Sequence, residues 1–191
     1  MASPVPLIET PRLILRPPVA EDLDGFASLM ADPASARFIG GAQPRSTTWR
    51  SLCVMAGAWA LHGFAMFSVL EKSTGAWVGR VGPWQPDGWP GTEVGWGLLP
   101  AYWGRGYATE AAAATIDWAF DQLGWTEVIH CIAPENTASQ QVALRLGSHL
   151  RGPGQLPPPH EALRIDVWGQ SREEWRAHRA DTRGASRDRG T

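Results

Sequence analysis

Between residues 64 and 99 the chain holds three strand-like stretches, at 64–70, 76–81 and 92–99, joined by links of only a few residues. A turn at 73–75 joins the first pair, and a segment rich in Gly, Pro and Trp at 84–91 joins the second. Parallel neighbours need a crossover of about a dozen residues or more, so these strands run antiparallel, as a meander. An all-parallel doubly wound sheet is thereby excluded, and every other element must fit around this meander.

The remaining periodicity supplies those elements. Residues 7–16 read as a strand ended by Pro17 and Pro18. Leu23, Phe26, Ala27 and Met30 share one face of a helix at 20–30. A second helix is expected at 46–61, with Ser46 or Thr47 as its N-cap and Gly63 as its stop. After the meander come a helix at 106–123, a strand at 127–133, a helix at 136–146 closed by Gly147, and short strands at 148–151 and 162–168. A last helix is expected at 171–180, with Ser171 and Glu174 as a capping box. The predicted class is α/β of the α+β kind. The predicted organisation is a flexible N-terminus at 1–6, one domain at 7–180 and a disordered tail at 181–191.

Composition narrows the function. The net charge is −2, which gives no basic field for nucleic acid. Apolar runs fall far short of a membrane span, and the first residues lack a signal pattern. The two cysteines, Cys53 and Cys131, form neither a disulfide framework nor a zinc spacing, so a reduced cytoplasmic setting and no metal are expected. Eleven Trp residues are an excess. Trp77, Trp84, Trp89 and Trp96 are read either as core or as the wall of an acceptor pocket or dimer contact.

The richest segment is residues 92–111, TEVGWGLLPAYWGRGYATEA. A strand leads into a turn, Trp103-Gly104-Arg105-Gly106-Tyr107-Ala108, which opens a helix. Small residues at Gly104, Gly106 and Ala108 let backbone amides approach a ligand. The first helical turn adds unpaired N–H donors and a positive dipole end, which suit a phosphate. Arg105 and Thr109 are placed to add contacts. The plainer alternative is a tight turn with glycines for steric reasons. A P-loop is absent, since no Gly-Lys-Ser/Thr follows. A dinucleotide fold would place such a loop after the first strand of a parallel array, not after a meander.

These residues carry a family resemblance. Glu93-Val94-Gly95-Trp96, Leu98-Leu99-Pro100 and Tyr102-Trp103-Gly104-Arg105-Gly106-Tyr107-Ala108-Thr109-Glu110-Ala111 resemble the acetyl-coenzyme A loop of GNAT N-acetyltransferases, most closely the RimJ/RimL-type branch. Asn136-x-x-Ser139 with Leu146-Gly147, the opening Glu9-Thr10-x-Arg12-Leu13-x-Leu15-Arg16 and the closing Ser171-Arg172-Glu173-Glu174-Trp175 extend the resemblance over about residues 7–178. Three positions depart from the pattern. Trp103 stands where the superfamily signature has Gln or Arg, Ala143 where some relatives carry an acidic-proton Tyr, and Ser148 where an aromatic usually follows Leu-Gly.

The resemblance implies a twisted, mixed, mostly antiparallel sheet flanked by helices and splayed at a coenzyme A notch. It implies that backbone groups of Leu98 and Leu99 pair with the pantetheine, and that the stretch from Trp103 through Gly104, Arg105, Gly106, Tyr107 and Ala108 to Thr109 holds the pyrophosphate. Asn136, otherwise a helix N-cap, would bond the pantetheine arm with help from Ser139. The implied reaction is acetyl transfer from acetyl-CoA to a primary amine, a protein N-terminus or a small molecule, by direct attack in a ternary complex. Glu93 is the expected base. It shares a strand face with Gly95, Gly97 and Leu99, and the two glycines leave a groove above it. A strand-end charge or an ion pair is its plainer reading. Ser139 is the expected proton donor to the leaving thiolate. His130 and Cys131, adjacent on a strand, point to opposite faces and form no dyad with each other. The expected partners are acetyl-CoA and an amine acceptor, without nucleic acid or membrane, in a monomer or homodimer. A non-catalytic acyl-CoA-binding or sensor module is the alternative.

Overall fold

A computed structural model describes residues 6–187. Eight strands form one sheet, and its order reads β1 (Ile8–Glu9), β2 (Leu13–Arg16), β3 (Phe67–Glu71), β4 (Trp77–Trp84), β5 (Glu93–Leu98), β6 (Glu127–Ile132), β8 (Ile165–Ser171), β7 (His149–Gly154). All neighbours are antiparallel except β5 and β6. The helices are α1 (Leu23–Ala31), the short α2 (Pro33–Ala36), α3 (Arg45–His62), α4 (Tyr107–Gln122), α5 (Thr137–Arg145) and α6 (Arg172–Arg187). The meander β3-β4-β5 stands as expected.

Several boundaries differ from expectation. The opening strand is a hairpin, because Thr10 turns the chain. Its N–H donates to the Leu13 carbonyl at 3.0 Å and its hydroxyl accepts from the Leu13 N–H at 2.9 Å, while Pro11 has no donor to continue a ladder. Helix α3 starts after Pro44 with no side-chain cap, so neither Ser46 nor Thr47 serves, while Gly63 ends the helix at φ 75°. Helix α6 opens with the Ser171–Glu174 capping box and continues through Arg187, so the tail expected from 181 is helical to that point. Residues 1–5 and 188–191, parts of the two expected flexible ends, lie outside the described residues.

The two faces of the sheet bury different cores. Val81, Val94 and Leu98 meet Tyr107, Ala111, Ala112 and Ile116 of α4 on one face. On the other, α1, α2 and α3 bring Phe26, Leu29, Ala36, Leu52 and Met55 together with Met66. Two-residue periodicity assigns the strand residues: Val94, Trp96 and Leu98 face α4, whereas Glu93, Gly95 and Gly97 face α1.

Candidate active site

Strands β5 and β6 part almost as soon as they meet. Their single paired position is Glu93 with Ile129, where the Ile129 N–H donates to the Thr92 carbonyl at 2.9 Å. The next rung of a parallel ladder would join the Cys131 N–H to the Val94 carbonyl. Side chains take both groups instead. The Glu93 carboxylate accepts the Cys131 N–H at 3.1 Å, and His130 Nδ1 lies 2.6 Å from the Val94 carbonyl oxygen. Beyond this point the strands diverge into a notch.

Glu93 sits at the apex of the notch. It is 7% exposed, and Trp89 Nε1 donates to its second oxygen. Burial pushes its carboxyl up to about 7, against the hydrogen bonds from Cys131 and Trp89, which pull it down. A carboxyl poised there changes protonation near neutrality, as a general base must. The groove expected above Gly95 and Gly97 is not open. A Cβ at Gly95 would lie 2.8 Å from Met66 Cε, and one at Gly97 would lie 3.4 Å from Ile39 and 3.8 Å from Leu29. The glycines make room for these side chains rather than for solvent.

Ser139 approaches the notch from the other face. Its Oγ accepts from Trp96 Nε1 at 3.1 Å, and its N–H donates to Asn136 Oδ1 at 3.1 Å. Asn136 is thus the N-cap of α5, with its side-chain NH₂ left over. Trp96 spans the splay and packs on the His130 ring, with centroids 4.9 Å apart. The Trp residues therefore do not converge on one pocket. Trp77 lies on Phe26, Trp84 packs against the same α1–α3 core, Trp89 lies on Glu93 and Trp96 across the notch, while Trp103 covers the Leu98 carbonyl.

Peptide groups alternate edges along a strand. The Leu99 N–H donates to Val78 of β4 at 3.0 Å and its carbonyl accepts from Tyr102 at 3.0 Å, so Leu99 is not on the open edge expected for it. Trp96 and Leu98 are, although Trp103 Nε1 caps the Leu98 carbonyl at 2.8 Å. In the turn that follows, Gly104 (φ 72°) and Gly106 (φ 78°) are left-handed, and a Cβ on Gly104 would meet nothing within 4 Å. The backbone at Gly104 is bare, Arg12 Nη2 lies 3.5 Å from a Cβ placed on Gly106, and α4 begins immediately after with its first N–H groups free of intrahelical acceptors. The Tyr107 side chain is not at this surface. It is buried, and its hydroxyl donates to Glu71 at 2.6 Å, with Arg105 3.6 Å from the same oxygen. Arg12 braces the turn by donating to the Arg105 carbonyl at 2.9 Å while paired with Glu110. Ala108 and Thr109 occupy the first turn of α4. No sequence signal marked Glu71 or Arg12 as supports for the turn, since both contacts are remote in the chain.

His130 is structural. It is fully buried, and burial pushes its imidazole down to about 4. Ser148 explains its own departure from the family pattern. Its Oγ accepts from Gln170 Nε2 at 3.0 Å and lies 3.0 Å from His130 Nε2. That leaves the hydroxyl proton for His130 Nε2 and puts the ring proton on Nδ1, toward Val94. An aromatic side chain would fill this volume without either bond. Ser148→Ala leaves His130 Nε2 unpartnered and Gln170 Nε2 with the Leu146 carbonyl alone, and we expect a loss of about 1–3 kcal/mol in denaturant unfolding. On β6, the Cys131 thiol faces Glu93, opposite to His130, and burial raises its pKa. Among the described residues no group of His, Cys, Asp or Glu is placed to hold a metal.

Comparison with known proteins agrees with this geometry. The family described as Acetyltransferase (GNAT) domain matches residues 12–149. The chain belongs to the GNAT acetyltransferase family. The structure of an acetyltransferase from Agrobacterium tumefaciens superposes with a TM-score of 0.77 at 31% identity, covering 90% of this chain and 98% of that one. The protein p20 of Bacillus licheniformis, named as an uncharacterized N-acetyltransferase, is 31% identical over 68% of this chain and 75% of its own length. YkkB of Bacillus subtilis is 33% identical over 46% of this GNAT chain, and that match spans about half (52%) of YkkB. The eight-stranded mixed sheet and flanking helices are the GNAT fold.

Proposed function

We propose that this GNAT protein is an acetyl-CoA-dependent N-acetyltransferase of the RimJ/RimL type, acting on a primary amine by direct attack in a ternary complex. The observation that carries this reading is the Glu93 carboxyl at the apex of the splay, buried and raised to about 7. The bare backbone at Gly104, ahead of the α4 N-terminus and with the Arg12 guanidinium beside Gly106, fits a pyrophosphate. The Trp96–Leu98 edge fits the amide-rich pantetheine arm as an added strand, with the spare Asn136 NH₂ beside it. Bound acetyl-CoA supplies an activated thioester.

The chain's residues then divide the proton work. Glu93 takes the proton that the amine must lose, directly or through water. Ser139, its Oγ already accepting from Trp96, keeps its hydroxyl proton for the leaving sulfur. No side chain is assigned as an acylated nucleophile, because the Cys131 thiol is held protonated by burial and by the Glu93 charge. A cytoplasmic setting belongs to the same reading, in keeping with the free cysteines Cys53 and Cys131.

One observation favours a second reading, a non-catalytic acyl-CoA-binding module. Met66, Ile39 and Leu29 cover the glycines on the acceptor face. Thermal-shift titrations with acetyl-CoA, CoA and NADH, followed by thiol release with an amine panel, separate the two. Saturable shifts with both CoA forms, none with NADH, and amine-dependent thiol release are expected. Binding without release from any amine would favour the module, and no shift with either CoA form would defeat both.

A further inference from the structure

Arg80 is the one charged side chain on the acceptor face of the sheet with no oxygen partner among the described residues. Its place follows from register. Arg80 of β4 pairs across to Gly97 of β5, and cross-strand partners share a face. Arg80 therefore lies on the same face as Glu93, four residues along β5 from that carboxyl, or about 14 Å of strand between Cα positions. Gly97 and Gly95 occupy the positions between them.

The surroundings of Arg80 are apolar. Its guanidinium lies 5.3 Å from the Phe26 ring centre, and its Nη1 reaches only the Met55 sulfur, at 3.9 Å. It forms no ion pair with Glu93. Thioether sulfur is a weak acceptor and the side chain is half-buried, so no protein oxygen takes the fork of N–H donors and it stays available to a ligand. Other arginines near the sheet have an oxygen partner: Arg16 with Asp22, Arg151 with Glu127 and Arg172 with the Trp125 carbonyl. Desolvation drags the Arg80 pKa down to about 10, against the Glu93 charge, which pulls it up. Holding such a cation in place costs stability unless something else requires it.

Arg80 also lines a narrow crevice with Phe26, Leu52, Met55, Met66 and Trp77. The crevice is closed as it stands, so a ligand enters only by displacing the flexible Met55 and Met66 side chains. Ser68 also lines it, with its hydroxyl committed to Asp22 and Trp77. A guanidinium fork matches a carboxylate with two parallel hydrogen bonds.

We propose that Arg80 is a specificity residue that binds a carboxylate carried by the acceptor, so that the acceptor is an amino-carboxylate with its amine toward Glu93. This rests on the acetyltransferase reading for the role of the amine, but not for the binding of the carboxylate.

The test uses the full chain with amino-carboxylates of increasing amine-to-carboxylate separation, from glycine to 6-aminohexanoate, and phenylalanine, each beside its own carboxamide. Thiol release from acetyl-CoA and, separately, tryptophan-fluorescence titration in the presence of CoA are read for the wild type, Arg80→Gln and Arg80→Lys. At least one acid is expected to be preferred over its amide by about tenfold or more, equivalent to one ion-paired contact. Arg80→Gln abolishes that preference, chiefly through KM or Kd, while CoA affinity and the pH midpoint of kcat stay fixed. Arg80→Lys keeps part of the preference. Arg80→Met, which removes an unmatched charge but keeps the stem, raises Tm by about 2–4 °C.

The proposal is overturned if no acid is preferred over its amide in either assay. It is also overturned if Arg80→Gln weakens acid and amide equally, or if Arg80→Met lowers Tm. An Arg80-dependent preference in binding without any thiol release would sink the acetyl-transfer reading alone. Equal release from acids and amides would sink the Arg80 assignment alone.

Discussion

Glu93→Gln lowers kcat/KM by about 10²–10⁴-fold and leaves CoA affinity unchanged. The wild-type rate rises with pH through a midpoint near 7, because the basic form of Glu93 exists only above its raised pKa of about 7. In the variant that limb is gone. The same substitution makes the protein more stable at alkaline pH, and the sign follows from linkage. A carboxyl raised from 4.5 to about 7 gives the folded state stability that is complete below the unfolded pKa. That stability is lost as pH climbs through about 7, where the folded protein must ionise a buried group. The loss amounts to about 3 kcal/mol, and the neutral amide does not incur it. Denaturant melts at pH 5 and pH 8 measure this. Wild type weakens between the two and Glu93→Gln does not. Full activity in Glu93→Gln with an unchanged pH profile would remove Glu93 from the chemistry.

Gly104→Ala separates backbone strain from loss of a ligand surface. At φ 72° an L-residue costs about 1–2 kcal/mol, but a Cβ there touches nothing within 4 Å, so the fold accommodates it. The added methyl projects from the bare turn ahead of α4. If that turn holds the pyrophosphate, the Kd for CoA rises about tenfold or more, a loss of ~1.4 kcal/mol in binding. Gly63→Ala is the matched control. Gly63 ends α3 at φ 75°, also with nothing within 4 Å of a Cβ. Both variants lose similar stability, and only Gly104→Ala loses CoA affinity. Equal CoA binding by the two would make the turn a purely structural one.

The parts legible in the sequence were those written in local patterns. Short links dictated the meander, Gly63 and Gly124 marked helix ends with positive φ, and the segment from Glu93 to Ala111 carried the family. The hidden parts depend on residues far apart in the chain. Met66 filling the space over Gly95, Ser148 meeting His130, and Glu71 holding Tyr107 all join distant segments. No periodicity announces such contacts. The split of the opening strand at Thr10 was local but masked, since Leu13 and Leu15 alternate convincingly on either reading. Arg80 was passed over for a different reason. An arginine on a strand reads as a solvated charge, and only the packing of α1 and α3 beside it reveals that it is half-buried among apolar side chains.

The missing rung between β5 and β6 has a consequence for how the protein waits. Cys131 N–H is committed to Glu93 and the Val94 carbonyl to His130, so zipping the two strands together would mean ejecting both side chains from their places. The wedge is held apart by its own hinge pins. A guest arriving at the gap finds the strands already apart, with only the Trp103 indole to lift from the Leu98 carbonyl.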